Sequence, residues 1–273
     1  MNPKEALKIT DKSRRIQGWF STEAAMLFAW FDEIQKSNGI EGDIFEIGVH
    51  HGKSAVLLGA MVKPQKENVS SSGLGDRQIF EKNMNLFFHD KLKLQIFAKS
   101  SKNLNPQEIG NNYRFFHIDG GHDEDEALND LKLAANSIIE KGVIVIDDPF
   151  RSEWPGVSEA IIHFLDSNKN FCAIVVGFNK MFIVRCDIAH IYLSEIENTD
   201  QRQTFQIVYP WRIKELPFMG YSLRIFYMQS KILKMPPLTR ILNLYYKRGW
   251  HKNPLLKPLE SFAKSISHKN MLI

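Results

Sequence analysis

The chain has 273 residues, 44% hydrophobic and 24% charged, with a net charge of +4. That composition excludes a disordered or fibrous chain and leaves room for one α/β domain with an appendage. Two cysteines, Cys172 and Cys186, are too few for a disulfide framework. No apolar run approaches the ~18 residues of a membrane-spanning helix, and the charged start MNPKEALKITDKSRR has no apolar leader, so a cytoplasmic setting is expected.

The charge is uneven along the chain. Residues 1–186 hold 22 Lys and Arg against 25 Asp and Glu, while residues 187–273 hold 13 against 6. Three segments follow: an N-terminal arm and helix over 1–40, a core domain over 41–187 and a basic C-terminal extension over 188–273. After an irregular or partly helical arm, Ser21 or Thr22 can cap a helix with an apolar face of Ala24, Met26, Leu27, Trp30, Phe31 and Ile34. Just before it, Gln17-Gly18-Trp19-Phe20-Ser21 suits either a staple at the helix entry or a flap over a site. Asp43–Ile47 is a short apolar run that enters a glycine turn, Gly48-Val49-His50-His51-Gly52, and a helix follows to about Met61. The spacing Glu46-x-Gly48-x-x-x-Gly52 matches neither the dinucleotide fingerprint nor the phosphate loop. An acidic residue there favours a cationic or amine-bearing ligand, and a purely structural turn is the alternative.

The segment 63–75, KPQKENVSSSGLG, has one branched apolar residue, Val69, and is expected to be a loop. Asp76 caps a helix through Phe88, and Leu92–Phe97 is the next strand. Phe115–Ile118 and Val143–Ile146 have the composition of buried strands. Between them Ala127, Leu128, Leu131, Ala134, Ala135, Ile138 and Ile139 have helical spacing. The crossover makes these two strands parallel, so their C-terminal ends share one sheet edge, where ligands of open α/β sheets bind. Asp119, His122, Asp147 and Asp148 all fall at that edge. Three clustered carboxylates repel and call for a cation, and all-oxygen ligands suit Mg²⁺ better than Zn²⁺. Alternatively, Asp119 and Asp147 cap strand ends and His122 lies on the surface. A helix with Val157, Ala160, Ile161, Phe164 and Leu165 on one face precedes a hairpin, 171–176 and 181–184, turning at Gly177–Lys180. The extension is expected to be mainly helical, with Leu223–Lys234 and Leu238–Tyr246 as basic, aromatic stretches. They suit packing on the core or on a second copy of the chain. The stretch 223–250 is also a candidate for peripheral membrane contact, and no nucleic-acid motif accompanies it.

Ile118-Asp119-Gly120-Gly121-His122, followed by Asp147-Asp148, the earlier Glu46–Gly52 turn and the final hairpin, resembles the class I S-adenosylmethionine-dependent methyltransferases. Within them it looks most like the metal-dependent sugar O-methyltransferases of the macrocin and mycinamicin type, over about Gly18–Asp187. The resemblance implies a doubly wound, Rossmann-like α/β sheet, mostly parallel with an antiparallel C-terminal hairpin strand. It also implies that Glu46, Gly48 and Gly52 line the methionine end of S-adenosylmethionine, that Ser100 lies near the adenine, and that Asp119 contributes to the cofactor site. Asp119, Asp147 and Asp148 would hold Mg²⁺, and His122 would be the base that takes a proton from the hydroxyl of a glycoside or polyol acceptor. Relatives carry a second strand ending in an acidic residue for the ribose. Here no apolar strand is evident in the corresponding segment and Glu67 is its only acid, so either a loop reaches round with Glu67 or the strand and its ribose contact are missing. Two alternatives therefore stand beside the Mg²⁺-assisted enzyme: a metal-independent methyltransferase, and a non-catalytic binding or scaffold protein of the same fold.

Overall fold

The architecture is that of a computed structural model, which describes residues 1–63, 66–73, 76–89, 91–208 and 211–228. Its centre is β1 (Asp43–Ile47), buried between parallel neighbours on both sides. In chain order, α1 (Pro3–Ser13) and α2 (Thr22–Ser37) precede it, and α3 (Lys53–Met61), β2 (Val69–Ser72), α4 (Arg77–Phe88), β3 (Leu94–Phe97), α5 (Pro106–Ile109) and β4 (Tyr113–Ile118) follow. Then come α6 (Glu124–Ser137), β5 (Ile138–Asp147), α7 (Pro155–Ser167), β6 (Phe171–Gly177), β7 (Lys180–Arg185), α8 (Ala189–Glu197), α9 (Thr199–Val208), β8 (Trp211–Phe218) and β9 (Tyr221–Met228). The nine strands form one sheet in the order β3-β2-β1-β4-β5-β7-β6-β9-β8.

Strand alternation divides the core in two. Ile44, Phe115, Val143, Val145 and Phe182 face α2 and α3, meeting Phe28, Phe31 and Leu58. Phe45, Phe116, Ile144, Ile146 and Ile183 face α6 and α7, meeting Leu131, Ala134, Ile161 and Phe164. Both layers are the expected doubly wound arrangement, and β7 runs antiparallel to β5 and β6 as the hairpin predicts.

The second strand is present, contrary to the expectation of a loop. Val69-Ser70-Ser71-Ser72 lies parallel between β1 and β3, with all four residues buried. Three serines carry little apolar area, so polar contacts at the start of the strand hold it in place. The Asn68 amide donates to Asp43 Oδ1 at 2.6 Å. Glu67 is buried and accepts from the Gly42 amide at 3.2 Å, the Lys63 amide at 2.7 Å and Arg114 Nε at 2.9 Å. Arg114, wholly buried on β4, also donates to the Gln35 side chain at 2.6 Å and the Met61 carbonyl at 3.0 Å, and lies 3.0 Å from Asp32. Gln35 in turn donates to Tyr192 of α8. One guanidinium thus ties α2, the end of α3, β2, β4 and α8 together at the N-terminal ends of the strands.

The chain divides into two compact units, Met1–Tyr227 and Met228–Ile273. Of the second, only Met228 is among the described residues. Within the first, residues 188–227 are part helix and part strand: α8 and α9 are followed by two strands, β9 pairs in parallel with β6, and the rest of the extension expected to be helical lies outside the described residues. Side chains in β9 follow a period of two, with Leu223 and Ile225 packing on the α7 side and Phe226 on the α2 side. Trp30 of α2 stacks on Phe205 at 5.2 Å and on Trp211 at 5.5 Å, covering what would be an open sheet end. The predicted helix Leu223–Lys234 is therefore a strand as far as Met228, and its remainder and Leu238–Tyr246 lie outside the described residues.

Removing Arg114 leaves Glu67 buried without its counter-charge, while Asp32 keeps the N-terminal ammonium and Lys36. Arg114→Met should therefore cost about 3–5 kcal/mol, measured as a fall in the urea midpoint. A second test concerns Asp130 of α6, whose carboxyl is buried and pushed up to about 6 by that burial, with hydrogen bonds from Ser101 and Asn129 opposing the rise. The folded chain then holds a proton that the unfolded chain releases from about pH 4 upward. Stability falls as pH rises through that window, by at most on the order of 3 kcal/mol, and is level above it. Asp130→Asn should raise the Tm at pH 7.5 more than at pH 4.5, read by a pair of thermal melts.

Candidate active site

The site lies along the C-terminal ends of β1, β4, β5 and the β6–β7 turn, under the arm that precedes α2. It encloses a cavity of about 1130 Å³, above the ~300–1,000 Å³ of ordinary small-molecule pockets. Gln17–Ser21 form one wall, so the aromatic segment before α2 covers the cavity. Lys53 Nζ secures it by donating to the Gly18 carbonyl at 2.9 Å. Trp19 is 83% exposed at the rim, beside His50.

The glycine turn is built for close packing of the sheet. Gly48 has φ +87, and a Cβ there would sit 1.7 Å from the Asp119 carbonyl oxygen. Gly52, φ +89, begins α3, and a Cβ there would meet the Phe80 ring at 2.9 Å. Its lack of a side chain leaves the α3 N-terminus without a side-chain cap. Lys53 and Ser54 at that terminus face the cavity with Gly48, Val49 and His50. Uncapped amides at a helix start suit an anionic group such as the carboxylate of a methionine moiety. By this test the turn fits S-adenosylmethionine.

Other expected cofactor contacts lie elsewhere. Glu46 does not line the cavity. Its place in β1 turns it toward the α2 side of the sheet, where it is fully buried 2.9 Å from His117 Nδ1. Burial holds that imidazole below its usual range, against the opposing hydrogen bond from Glu46. Gly52 packs on Phe80 behind the turn. Ser100 starts a short turn, Ser101–Asn103, where its hydroxyl accepts from the Lys102 amide at 3.4 Å, and it is not among the cavity-lining residues. Glu67 sits at the start of β2, the wrong end of the strand for a ribose ligand. The strand ends in Ser72-Gly73, and the next acid, Asp76, caps α4.

Asp119, His122, Asp147 and Asp148 all line the cavity, as expected. Their side chains form two groups. Asp148 has left-handed backbone, φ +53. Its carboxylate lies 3.5 Å from His122 Nε2 and 3.3 Å from Arg151 Nη1. Burial and the neighbouring Asp147 charge raise its carboxyl, against the pull of Arg151. The His122 ring stacks on Trp154 with centroids 4.5 Å apart. In the other group Asp147 Oδ2 meets Lys180 Nζ at 2.5 Å, both side chains nearly excluded from solvent. Burial opposes charge on Asp147, but the Lys180 ammonium outweighs it and holds the carboxyl below the usual range. Burial pushes the Asp119 carboxyl well above the ordinary value, against the pull of Lys180.

The three carboxylates therefore do not converge as a Mg²⁺ site requires. Among the described residues, ligating atoms drawn from Asp119, Asp147, Asp148 and His122 do not gather three at a time within 4.8 Å; only Glu124, Glu159 and His163 do so, on the outer faces of α6 and α7. As folded, the predicted metal ligands do not fit a divalent ion, because a lysine already neutralises the central one. Lys180 is the residue that sequence reasoning missed. Phe178 and Asn179, both at positive φ, make a two-residue hairpin turn, and the register sets Lys180 opposite Asp147. The turn gives only the β6–β7 pairing, and the β5–β7 register that brings Lys180 to Asp147 has no local signal in the sequence.

Residues 45–149 match the family described as a methyltransferase domain. Among solved structures the chain is similar to the O-methyltransferase NovP, at 13% identity over 62% of this chain and 83% of that one, with a TM-score of 0.52. Others are CalS11, a TDP-rhamnose 3'-O-methyltransferase of calicheamicin biosynthesis (10% identity, 67% and 92% covered, TM-score 0.48), and the SAH-bound methyltransferase PaMTH1 of Podospora anserina (14%, 66% and 86%, 0.49). No curated protein matches the sequence. The doubly wound sheet and the glycine turn at its switch point coincide with the matching stretch, so residues 45–149 carry the fold of a methyltransferase domain.

Proposed function

We propose that the chain is an O-methyltransferase that methylates a hydroxyl of a glycoside or similar small polyhydroxy acceptor, with His122 as general base. The observation that carries this reading is the placement of His122. It faces the same cavity as the uncapped start of α3, held by the Trp154 ring on one side and the Asp148 carboxylate on the other. A base oriented by a carboxylate is the arrangement that hydroxyl activation requires. Bound S-adenosylmethionine supplies an electrophilic methyl group. The protein's part is to align the acceptor oxygen with that methyl, take the hydroxyl proton and keep water out. Asp148 stabilises the imidazolium that forms when His122 accepts the proton. Trp19, Phe20, Trp154 and Phe178 give the cavity flat apolar walls among polar groups, which suits the alternating C–H and hydroxyl faces of a sugar ring.

The scaffold alternative rested on a missing second strand, and β2 removes that ground. Among the described residues no helix is long and apolar enough to cross a membrane. With two free cysteines, the proposed setting is the cytoplasm.

Cofactor binding is checked by thermal shift. S-adenosylhomocysteine at a hundred times its Kd should stabilise the chain by about 2.7 kcal/mol. That corresponds to a rise in Tm of roughly 5–10 °C. A flat Tm across the titration rules the reading out. With a glycoside panel as acceptors, His122→Ala should slow S-adenosylhomocysteine formation by about 10²–10⁴-fold at neutral pH, with partial recovery in alkaline buffer. Unchanged turnover would remove His122 from the role of base.

A further inference from the structure

We infer that the cation of this acceptor site is the Lys180 ammonium, which hydrogen-bonds the acceptor oxygen during transfer in the place where the sequence resemblance implies a divalent metal. The inference rests on the O-methyltransferase reading above and extends it to a residue and a substitution of chemistry.

Four observations support it. Lys180 is 2% exposed, yet it belongs to the cavity wall together with Asp119, His122 and Asp147. Its position is fixed by backbone: the two-residue turn and the cross-strand register with Asp147 leave the side chain one place to go. Its Nζ lies 2.5 Å from Asp147 Oδ2 and 5.6 Å from the centroid of the Phe20 ring. Asp147 is its ion-pair partner, and no other described residue accepts a hydrogen bond from it. An ammonium has three donors, so two remain for a ligand. The ring of Phe20 adds a cation–π contact that holds the charge without consuming a donor. Lastly, the other two basic side chains of the cavity wall are engaged elsewhere, Lys53 on the Gly18 carbonyl at 2.9 Å and Arg151 on Asp148 at 3.3 Å.

The chemistry balances with one fixed cation. The acceptor O–H bond breaks, and its proton goes to an imidazole nitrogen of His122. The oxygen lone pair forms the new O–CH₃ bond. The S–CH₃ bond breaks and its electron pair stays on sulfur. The positive charge thus moves from the sulfonium to His122, and Lys180 stays protonated throughout. Its role is to donate to the oxygen while negative charge builds there, as an oxyanion-hole donor does. Asp147 keeps the ammonium charged and aimed, and so acts as a positioning residue.

Mn²⁺ titration, with free ion read by electron paramagnetic resonance, tests the metal side on the full chain. Wild type and Asp147→Asn should give the same isotherm, because Asp147 holds an ammonium. Binding at Glu124, Glu159 and His163 would appear equally in both. One Mn²⁺ per chain bound by wild type and lost in Asp147→Asn overturns the inference. The titration needs no acceptor and no lysine variant. It therefore stands even if Lys180→Met fails to fold, or if the thermal shift with S-adenosylhomocysteine refutes the methyltransferase reading. With an acceptor in hand, turnover should be unchanged by EDTA. Lys180→Met should lose about a hundredfold in kcat, and Lys180→Arg should recover part of it. Loss of turnover in EDTA, or a folded Lys180→Met with wild-type kcat, refutes the role of Lys180.

Discussion

The ion pair between Arg114 and Glu67 is the constraint on which the sheet depends. A strand of one valine and three serines has little apolar reason to stay between β1 and β3. Glu67 supplies the reason, because its carboxylate is the buried counter-charge of a guanidinium that α2, the end of α3 and β4 have already enclosed. Moving β2 would strip Arg114 of a bidentate partner in the protein interior, where an unpaired charge costs several kcal/mol. With β2 fixed, the Gly48 amide can donate to the Ser72 carbonyl at 3.0 Å, and the glycine turn sits at a closed sheet edge. The two ends of the strands thus divide the work. One end is crossed by a satisfied polar network, and the other is left free for ligands.

At the ligand end the electrostatics are asymmetric. Three acidic side chains share one buried lysine and one exposed arginine, and each settles differently. Asp147 is held below the usual carboxylate range by Lys180, Asp119 is pushed above it by burial, and Asp148 turns to Arg151 and His122. The left-handed backbone at Asp148 is what separates it from Asp147. Adjacent residues in regular extended backbone point to opposite faces of the sheet, and here the twist at the strand end lets both reach the same cavity while serving different partners. An imidazole and a fixed ammonium then stand along one wall without sharing a carboxylate.

Much of this was legible in the sequence, and the failures have physical causes. The βαβ unit from β4 to β5 was readable because its strands are apolar throughout and its helix has a clean period. That unit also brought Asp119, His122, Asp147 and Asp148 to one edge by topology alone. The strand β2 was not readable, because what keeps it in the sheet is a contact across 47 positions, between Glu67 and Arg114, and no local window contains both. Glu46 was misplaced for a subtler reason. Its spacing from the glycines is that of a ligand residue, but strand parity turns it away from the cavity and onto His117. Clustered carboxylates did call for a cation, and in the fold the Lys180 ammonium stands against the central one, Asp147. In the C-terminal region, aromatic and basic residues suggested helices, whereas Leu223, Ile225 and Phe226 alternate as a strand next to β6 requires.

The turn at Phe178–Asn179 has a consequence for how this protein can vary. Its two residues set the register of β7 against β6, and β7 in turn pairs with β5. An insertion or deletion of a single residue there would exchange the two faces of β7. Met181 and Ile183 would leave the α7 side, Phe182 would leave Phe31 and the α2 side, and Lys180 would no longer stand opposite Asp147. Loop tips ordinarily absorb length changes with little harm. This one cannot, because the spacing that positions a charge in the cavity is the same spacing that packs both layers of the core. Among descendants of this sequence, length variation should accumulate at other connections, while this hairpin changes by substitution alone.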